Sequence, residues 1–344
     1  MTWPTTGTWT TRGISMRDVL GDLLRWWSAG EPAGLAIVTA TWSSAPRQVG
    51  AAMAVGPDGV AVGSVSGGCV EAAVYDLCLE VAETGEARTA SFGVADDLAL
   101  GVGLPCGGTI DLAIGRVDHT TFPDLPDLTS AVEAERPVAL LVEQTGYSIL
   151  KTDFYVRSEP ADNRTVIPFF PPPRMLVFGA TDHAAAVARI GGFLGYRVTV
   201  CDARPIFATP RRFPGADQVV VDWPHRYLAA EAAAGRIDSR TVLCVLTHDP
   251  KFDVPTLELA LRLDVGYVGA MGSRRTHHDR LARLREAGLA EPELARLCSP
   301  IGLDLGARSP EETAVSIAAE IIALRHSGTA ERLSTLSGPV HKKL

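Results

Sequence analysis

Two cysteines stand beside paired glycines, and this placement suggests ligand or sulfur chemistry. The two runs are GSVSGGCVEAAV, which contains Gly67, Gly68 and Cys69, and LPCGG, which contains Cys106, Gly107 and Gly108. A thiolate is a soft metal ligand and a sulfur nucleophile, while glycine-rich backbone offers amides that cradle phosphate. Because both junctions fall in one half of the chain, they predict a ligand that combines phosphate groups with a sulfur-rich or metal-bearing end. A tight turn with a buried cysteine is the alternative for each junction taken alone.

The residues that follow Cys69 have helical spacing, with apolar positions recurring from Val70 to Val81 on one face. Cys69 is therefore predicted at or next to a helix N-terminus, where the aligned backbone dipoles favour a thiolate. Glu71 falls in the first turn of the same helix, and Cys78 falls in its middle as a core residue. The chain has six cysteines and no C-x-x-C pair, so zinc-ribbon and iron–sulfur spacings are absent and a structural metal site is not expected. In a reducing compartment a disulfide is disfavoured.

A second pattern runs from Met175 to Pro205 and predicts a dinucleotide-binding βαβ unit. An apolar strand leads through a glycine turn and a helix to a second apolar strand that ends in Asp202, the expected ribose ligand. Gly179 and Ala184 fit the first and last places of G-x-G-x-x-G/A. Thr181 replaces the middle glycine, which normally lets the backbone approach a pyrophosphate. The pattern predicts the fold and leaves open whether NAD(P) or another nucleotide binds.

Further apolar runs at 219–221, 242–246 and 267–271 alternate with helical stretches. This alternation predicts a doubly wound parallel sheet, which binds ligands at the carboxyl ends of its strands. Ser273 and Arg274 could hold a phosphate there and His248 could face a ligand, while solvated loop ends are the alternative for each. The candidate residues of this half are Gly179, Thr181, Asp182, Ala184, Asp202, His248, Gly272, Ser273 and Arg274.

The elements that position these residues divide the chain into an N-terminal mixed α/β domain and a C-terminal Rossmann-like domain. The N-terminal half shows a helix after Ser15 and strand-like runs at 35–39, 52–55, 60–65 and 137–144. Near the end, Ser309, Pro310 and Glu312 form the pattern of a capped helix start. The predicted divisions are a flexible arm at 1–14, the cysteine-bearing domain at 15–156, a proline-rich linker at 157–174, the Rossmann-like domain at 175–327 and a tail at 328–344.

Length and charge restrict the class of protein. A chain of 344 residues, with 46% hydrophobic and 21% charged residues, suits two well-cored domains. Its formal net charge of -8, with no run of lysine or arginine before the final HKKL, argues against a nucleic-acid partner. No apolar segment reaches about 18 residues, and the first residues lack the apolar region of a signal peptide. We therefore expect a cytoplasmic protein that does not span a membrane.

Seven segments together resemble the XdhC/CoxI family, the accessory factors of xanthine dehydrogenase and related molybdenum hydroxylases. The segments are GSVSGGCVEAAV, LPCGG, PPPRMLVFGA, RVTVCDARP, LTHDPKFD, YVGAMGSRRT and SPIGLDLGARSPEETAVSIAAEI. The resemblance spans roughly residues 20 to 327. It implies a factor that binds the molybdenum cofactor as cargo, protects it during sulfuration and delivers it to an apo-hydroxylase. A cysteine desulfurase is a further implied partner, and homodimerisation stays open.

The resemblance also assigns roles to residues. The pyranopterin phosphate would lie against the glycine amides, while Cys69 and Cys106 would approach the molybdenum–sulfur end and Glu71 would order the loop or accept a hydrogen bond from the pterin. The chain departs from the family where Gly179-Ala180-Thr181-Asp182-His183-Ala184 replaces a run close to GAGHVA, where Pro105 precedes Cys106, and at Ser44-Ala45-Pro46-Arg47. The alternative is an NAD(P)-dependent oxidoreductase with Asp202 on the ribose and His248 as proton donor. Xanthine dehydrogenase itself is excluded, because six scattered cysteines cannot supply its iron–sulfur clusters.

Overall fold

The chain forms two compact units that divide between Pro171 and Pro172, with residues 333–337 grouped with the N-terminal unit. The computed structural model describes residues 16–42, 45–93, 108–143, 146–151, 160–161 and 164–337. The predicted arm at 1–14 and Ser15 lie outside these ranges, as do Cys106 and Gly107.

The N-terminal unit is built around a five-stranded antiparallel sheet with the order β3-β2-β1-β5-β4. Its elements are α1 (Met16–Ser28), β1 (Ala33–Trp42), β2 (Ala52–Val55), β3 (Ala61–Gly63), α2 (Glu71–Thr84), β4 (Arg88–Phe92) and β5 (Thr109–Val117). Helix α2 packs on one face of this sheet, and a Cβ added at Gly34 would lie 2.1 Å from the carbonyl oxygen of Cys78. The glycine in β1 therefore lets the helix backbone approach the strand closely.

A second antiparallel sheet, with the order β7-β6-β9-β8, completes this unit. Its elements are α3 (Leu125–Glu133), β6 (Val138–Glu143), β7 (Gly146–Lys151), β8 (Pro160–Ala161) and β9 (Arg164–Phe169), and a short 3-10 turn follows much later at Leu333–Thr335. The segment 157–174, predicted as a linker, thus contains strands. Thr165, Val166 and Ile167 are β-branched and pair with β6, and the proline-rich stretch 170–173 lies outside regular structure.

The C-terminal unit is a six-stranded parallel sheet with helices on both faces, which confirms the predicted Rossmann-like fold class. Its strand order β12-β11-β10-β13-β14-β15 is the 3-2-1-4-5-6 order of dinucleotide-binding sheets, and the order reverses between β10 and β13. The elements are β10 (Arg174–Phe178), α4 (Asp182–Phe193), β11 (Arg197–Asp202), β12 (Gln218–Val221), α5 (Pro224–Ala233), β13 (Val242–Val245), α6 (Pro250–Ala260), β14 (Tyr267–Ala270), α7 (Arg274–Glu286), α8 (Glu291–Leu294), β15 (Leu297–Cys298) and α9 (Pro310–Arg325).

The capped start predicted for the last helix is confirmed. The Ser309 hydroxyl accepts a hydrogen bond from the Glu312 amide at 3.1 Å, and the Glu312 carboxylate accepts one from the Ser309 amide at 3.0 Å. This reciprocal pair satisfies amides that the helix itself leaves unpaired. Within the described ranges, no helix combines the length and apolar character needed to cross a lipid bilayer.

Candidate functional site

The loop that carries Cys69 is closed around the carboxylate of Glu71. Oxygens of this one side chain accept hydrogen bonds from hydroxyls and backbone amides of the preceding loop. The donors are the hydroxyls of Ser64 (2.6 Å) and Ser66 (2.5 Å) and the amides of Ser66 (2.9 Å), Gly67 (3.0 Å), Gly68 (2.8 Å) and Val70 (3.2 Å). Gly67 and Gly68 have φ values of +85° and +116°, which other residues rarely adopt. The glycines thus let the backbone wrap around the carboxylate.

The charge on Glu71 is strongly favoured. Burial raises the pKa of this carboxyl, but the hydrogen bonds from Ser64 and Ser66 outweigh burial and lower the pKa to about 2. The sequence predicts that the amides of Gly67 and Gly68 hold a phosphate. In the structure these amides already donate to Glu71, so they are not available to an external anion while this arrangement lasts.

Cys69 is one of two half-buried cysteines among those that the structure describes, and it is the one that follows the exposed glycine pair. It is half-buried and lies just before α2, as predicted, with its amide donating to the Ser66 hydroxyl at 2.9 Å. Burial raises the pKa of the other thiols, to about 12 for Cys78, Cys201 and Cys298, and raises that of Cys244 as well. These thiols are therefore poor nucleophiles, and Cys69 is the described cysteine best placed for chemistry.

The second predicted cysteine loop is only partly described. Cys106 and Gly107 lie outside the described residues, so their expected proximity to Cys69 stays a prediction. Gly108 is buried immediately before β5. Among the described residues, no group of three or more His, Cys, Asp or Glu side chains is arranged to hold a metal ion.

Arg47 is a functional candidate that the sequence signalled only weakly, as part of the Ser44-Ala45-Pro46-Arg47 run. Its Nη2 lies beside the glycine bend, 3.9 Å from where a Cβ on Gly67 would be. Its Nε is buried and has no hydrogen-bond partner among the described residues. A guanidinium therefore adjoins the Cys69 loop.

A groove of about 890 Å³ is lined by residues of β4 and β5 and of the second sheet. The groove lining includes the small residues Ala113 and Gly115 and the carboxylate of Asp111. Leu112 and Ile114 also line the groove, and both belong to the apolar cluster that includes α2 residues. None of the predicted site residues that the structure describes lines this groove.

The glycine turn of the Rossmann unit is built for helix capping. Gly179 has φ +114°, and a Cβ there would lie 2.8 Å from the Thr247 side chain and 3.0 Å from the Leu246 backbone. Thr181, in place of the middle glycine, is the N-cap of α4, and its hydroxyl accepts from the Ala184 amide at 3.1 Å. Thr181 therefore stabilises the helix start with its own side chain. Asp182 follows as an exposed first-turn residue, 3.4 Å from Arg212.

Asp202 ends β11 as predicted, but its carboxylate is bound within the protein. Oδ2 accepts from the Ala180 amide at 2.7 Å and from Arg204 Nη2 at 2.8 Å, and Oδ1 accepts from the Arg204 amide and Nε. The Asp202 side chain is only 3% exposed. Burial raises the pKa of Asp202, while the Arg204 and Ala180 hydrogen bonds outweigh burial and lower the pKa overall. With its oxygens bound in this way, Asp202 does not suit the predicted ribose contact.

The remaining candidates lie at the carboxyl ends of β13 and β14, where a parallel sheet binds ligands. His248 is exposed after β13. Ser273 is the N-cap of α7 and accepts from the Thr276 amide at 3.1 Å, and Arg274 is exposed in the first turn. Gly272 precedes them with φ +154°. The structure brings Gly272, Ser273 and Arg274 together, and their predicted phosphate contact stays a prediction.

A buried ion pair at this edge was not predicted. Arg280 of α7 donates to the Asp253 carboxylate of α6 at 3.0 Å, and the two side chains are 3% and 5% exposed. Arg280 also donates to the Met271 carbonyl oxygen at 2.7 Å and to Ser299 Oγ at 3.0 Å, while the Thr247 hydroxyl donates to Asp253. The pair thus connects the loops after β13, β14 and β15. Burial raises the pKa of Asp253 to about 6, although Arg280 acts in the opposite direction.

Two family models match the chain in its two units. One, for the XdhC and CoxI family, matches residues 26–93, and the other, for the XdhC Rossmann domain, matches residues 175–321. The first range contains the Cys69 loop and the second contains the parallel sheet described above. The chain belongs to the XdhC/CoxI family.

Two curated relatives and one solved structure align with this chain over most of their lengths. It is 29% identical to the molybdenum cofactor insertion chaperone PaoD of Escherichia coli, over 86% of this chain and 85% of that protein. It is 28% identical to a Bacillus subtilis protein described as a probable subunit of xanthine dehydrogenase, over 86% of this chain and 94% of that protein. A crystal structure described as a xanthine dehydrogenase from Bacillus halodurans is similar at a TM-score of 0.69 and 25% identity, covering 94% of this chain and 98% of that one.

Proposed function

We propose that this protein is a maturation factor for a molybdenum hydroxylase of the xanthine dehydrogenase type, which binds the molybdenum cofactor as cargo and delivers it to the apo-enzyme. The observation that carries the proposal is the Cys69 loop within a chain of this family. The loop presents a half-buried thiol on a backbone bend that Glu71 holds in shape. Such a thiol suits contact with a soft molybdenum–sulfur centre.

The finer steps follow from the same chemistry. A thiol near the molybdenum end can act as a soft ligand or handle sulfur during sulfuration. Cys69, with Cys106 as its expected companion, would protect the cofactor until it reaches the hydroxylase. The relative named as an insertion chaperone supports this role, and a cysteine desulfurase remains the expected source of sulfur.

The NAD(P)-dependent oxidoreductase is a poorer fit to the geometry. The residues that would hold a dinucleotide are bound to other parts of the chain: Asp202 is bound to Arg204, and Thr181 caps α4. Titration with NAD(H) and NADP(H) should show no micromolar binding, and hydride transfer to any small substrate would restore this alternative.

The proposal is tested by cofactor loading. The protein is purified from a host that makes molybdenum cofactor, and its molybdenum and pterin contents are measured. We expect Cys69→Ala and Cys106→Ala each to lower loading while the thermal unfolding midpoint stays close to that of the wild type. Cys298→Ala is the matched control, because that half-buried thiol lies in the other unit and has a raised pKa.

Absence of molybdenum and pterin from the wild-type protein would contradict the cargo role. Unchanged loading in both cysteine variants would remove the thiols from the mechanism but leave a carrier function. If Cys298→Ala lowered loading as much as Cys69→Ala and Cys106→Ala do, the loss would reflect general destabilisation and would contradict the role of the thiols.

A further inference from the structure

In the N-terminal unit, the side chain of Arg47 has a buried nitrogen, Nε, without a hydrogen-bond partner among the described residues. Buried polar atoms in folded proteins almost always have a hydrogen-bond partner, and an unpaired one calls for an explanation such as an absent ion. The Nε of Arg47 is buried and unpaired, and none of its guanidinium nitrogens donates to any described residue. Arg174 also buries an unpaired Nε, but its Nη1 donates to Glu231 at 2.5 Å, so its charge is compensated.

The nearby Glu71 carboxylate is not the hydrogen-bond partner of the Arg47 guanidinium. Glu71 lies in the same loop region, yet its oxygens are bound to the serine hydroxyls and to the loop amides, among them those of Gly67 and Gly68. The pKa of Glu71, lowered to about 2 by these hydrogen bonds after burial is overcome, shows how well the carboxylate is satisfied without Arg47. The Arg47 guanidinium therefore lies beside a loop whose carboxylate is already hydrogen-bonded to other groups.

The space beside Arg47 is open on the side of the glycine bend. A Cβ added at Gly68 would meet no atom within 4 Å, and one added at Gly67 would meet only Arg47 Nη2, at 3.9 Å. Both glycines are exposed, and the half-buried Cys69 follows directly. An anion on the guanidinium would thus lie at the surface of the loop that presents the thiol.

We propose that Arg47 is the anion-binding residue of the Cys69 loop and that it binds a phosphate monoester through its guanidinium fork. A guanidinium matches phosphate oxygens in planar geometry with two parallel hydrogen bonds. The glycine amides, which the sequence suggested for this task, are instead used by Glu71 to shape the loop. The assignment of that phosphate to the cargo's pyranopterin rests on the proposed function, whereas the anion site itself does not.

The test compares the alkylation of Cys69 by iodoacetate, an anion, and by iodoacetamide, its neutral analogue, followed on the Cys69 peptide by mass spectrometry. The ratio of the two rates reports the local positive charge. We expect Arg47→Gln to lower this ratio about three- to tenfold at low salt, because one nearby charge is lost. Arg88→Gln is the matched control, since Arg88 is exposed in the same unit and pairs with Glu80 at 2.7 Å.

A second measurement uses inorganic phosphate as the probe. Millimolar phosphate should slow the alkylation of Cys69 by iodoacetamide in the wild type and in Arg88→Gln, but not in Arg47→Gln. Arg47→Lys should keep part of the protection, because it retains the charge but not the fork. Thermal unfolding of each variant checks that the fold is intact. An unchanged rate ratio in a folded Arg47→Gln, or no protection by phosphate in the wild type, would overturn the anion site.

Cofactor loading of the same variants separates this inference from the proposed function. Reduced loading in Arg47→Gln supports the assignment to the cargo's phosphate. Normal loading in that variant, with phosphate protection lost, would overturn that assignment and leave the maturation role standing. A wild-type protein that carries no cofactor but shows phosphate protection would overturn the proposed function and leave the anion site standing.

Discussion

Glu71 combines two effects that normally oppose each other. A carboxylate at the start of a helix gains from the backbone dipole, but a buried charge loses hydration. Here the hydroxyls of Ser64 and Ser66 and the amides of the glycine bend replace the lost water. The side chain therefore fixes the conformation of the loop that presents Cys69.

We predict that Glu71→Gln destabilises the protein by about 2 kcal/mol at neutral pH. The serine hydroxyls and loop amides around this side chain need an acceptor, whereas the NH2 group of glutamine is itself a donor. The pKa of Glu71 is lowered from 4.5 to about 2, so its contribution to stability is present above pH 4.5 and is lost as the pH falls through about 2. The stability gap between wild type and variant should therefore narrow on acidification. Urea unfolding at several pH values measures the gap.

Glu83→Gln is the control for this prediction, because Glu83 is exposed on the same helix. It should change the free energy of unfolding by no more than about 0.5 kcal/mol at any pH. A gap between the wild type and Glu71→Gln that stays constant down to pH 2 would show that the carboxylate does not hold the loop.

The buried Asp253–Arg280 ion pair links separate elements of the C-terminal unit. It joins α6 and α7 and reaches the loops after β14 and β15 through Met271 and Ser299. These loops form the edge where a parallel sheet binds ligands, and they include Gly272 and Ser273. A single buried guanidinium thus sets the relative positions of several loops at this edge.

We predict that Arg280→Met destabilises the C-terminal unit by about 3–5 kcal/mol, because it leaves the buried Asp253 carboxylate without its cationic partner. Adding Asp253→Asn should recover part of this loss, since the amide carries no charge. Arg283→Met, at an exposed position of the same helix, is the control and should be close to wild type. Urea unfolding followed by circular dichroism measures each variant, and equal stabilities for both arginine variants would contradict the prediction.

The parallel sheet could be predicted because its strands are continuous apolar runs separated by helical patterns, a local signal. The runs 219–221, 242–246 and 267–271 lie within one residue of the observed strands. The second antiparallel sheet was largely missed. Its strand β9 lies in a stretch of polar and proline residues, and its pairing with β6 depends on contacts distant in sequence.

The arrangement of the candidate site could be predicted only where it follows from the local sequence. The position of Cys69 before α2 follows from the glycines and the helical spacing, and it is confirmed. The ion pair of Asp253 with Arg280 joins residues 27 positions apart on different helices, so no local pattern indicates it. The binding of Asp202 by Arg204 was not predicted, because an acid at the end of the second strand has the same position in dinucleotide-binding sites.

At the scale of the whole molecule, the chain consists of two units with separate hydrophobic cores. The C-terminal unit has apolar clusters on both faces of its parallel sheet, while the N-terminal unit has its own clusters around the antiparallel sheets. Each unit is long enough for its own hydrophobic core to support folding.

We predict that residues 172–332 fold when expressed alone, because the clusters that flank the parallel sheet are built from this segment. The fragment should unfold in one cooperative transition in urea, with helical circular dichroism lost at the same midpoint as tyrosine and tryptophan fluorescence. A fragment that carries Arg280→Met should show a lower midpoint. A broad, non-cooperative transition would contradict the independence of the unit.

The carboxylate that shapes the thiol loop has a practical consequence for biochemists who recover pterins by strong-acid extraction. Near pH 2 the Glu71 carboxyl takes up a proton and loses its hold on the bend. A ligand bound at this loop would then dissociate because the loop changes conformation, whether or not the Cys69 thiol contacts it. Displacement at neutral pH, where the Glu71 carboxylate keeps its hydrogen bonds, therefore tests the contribution of the thiol with the bend intact.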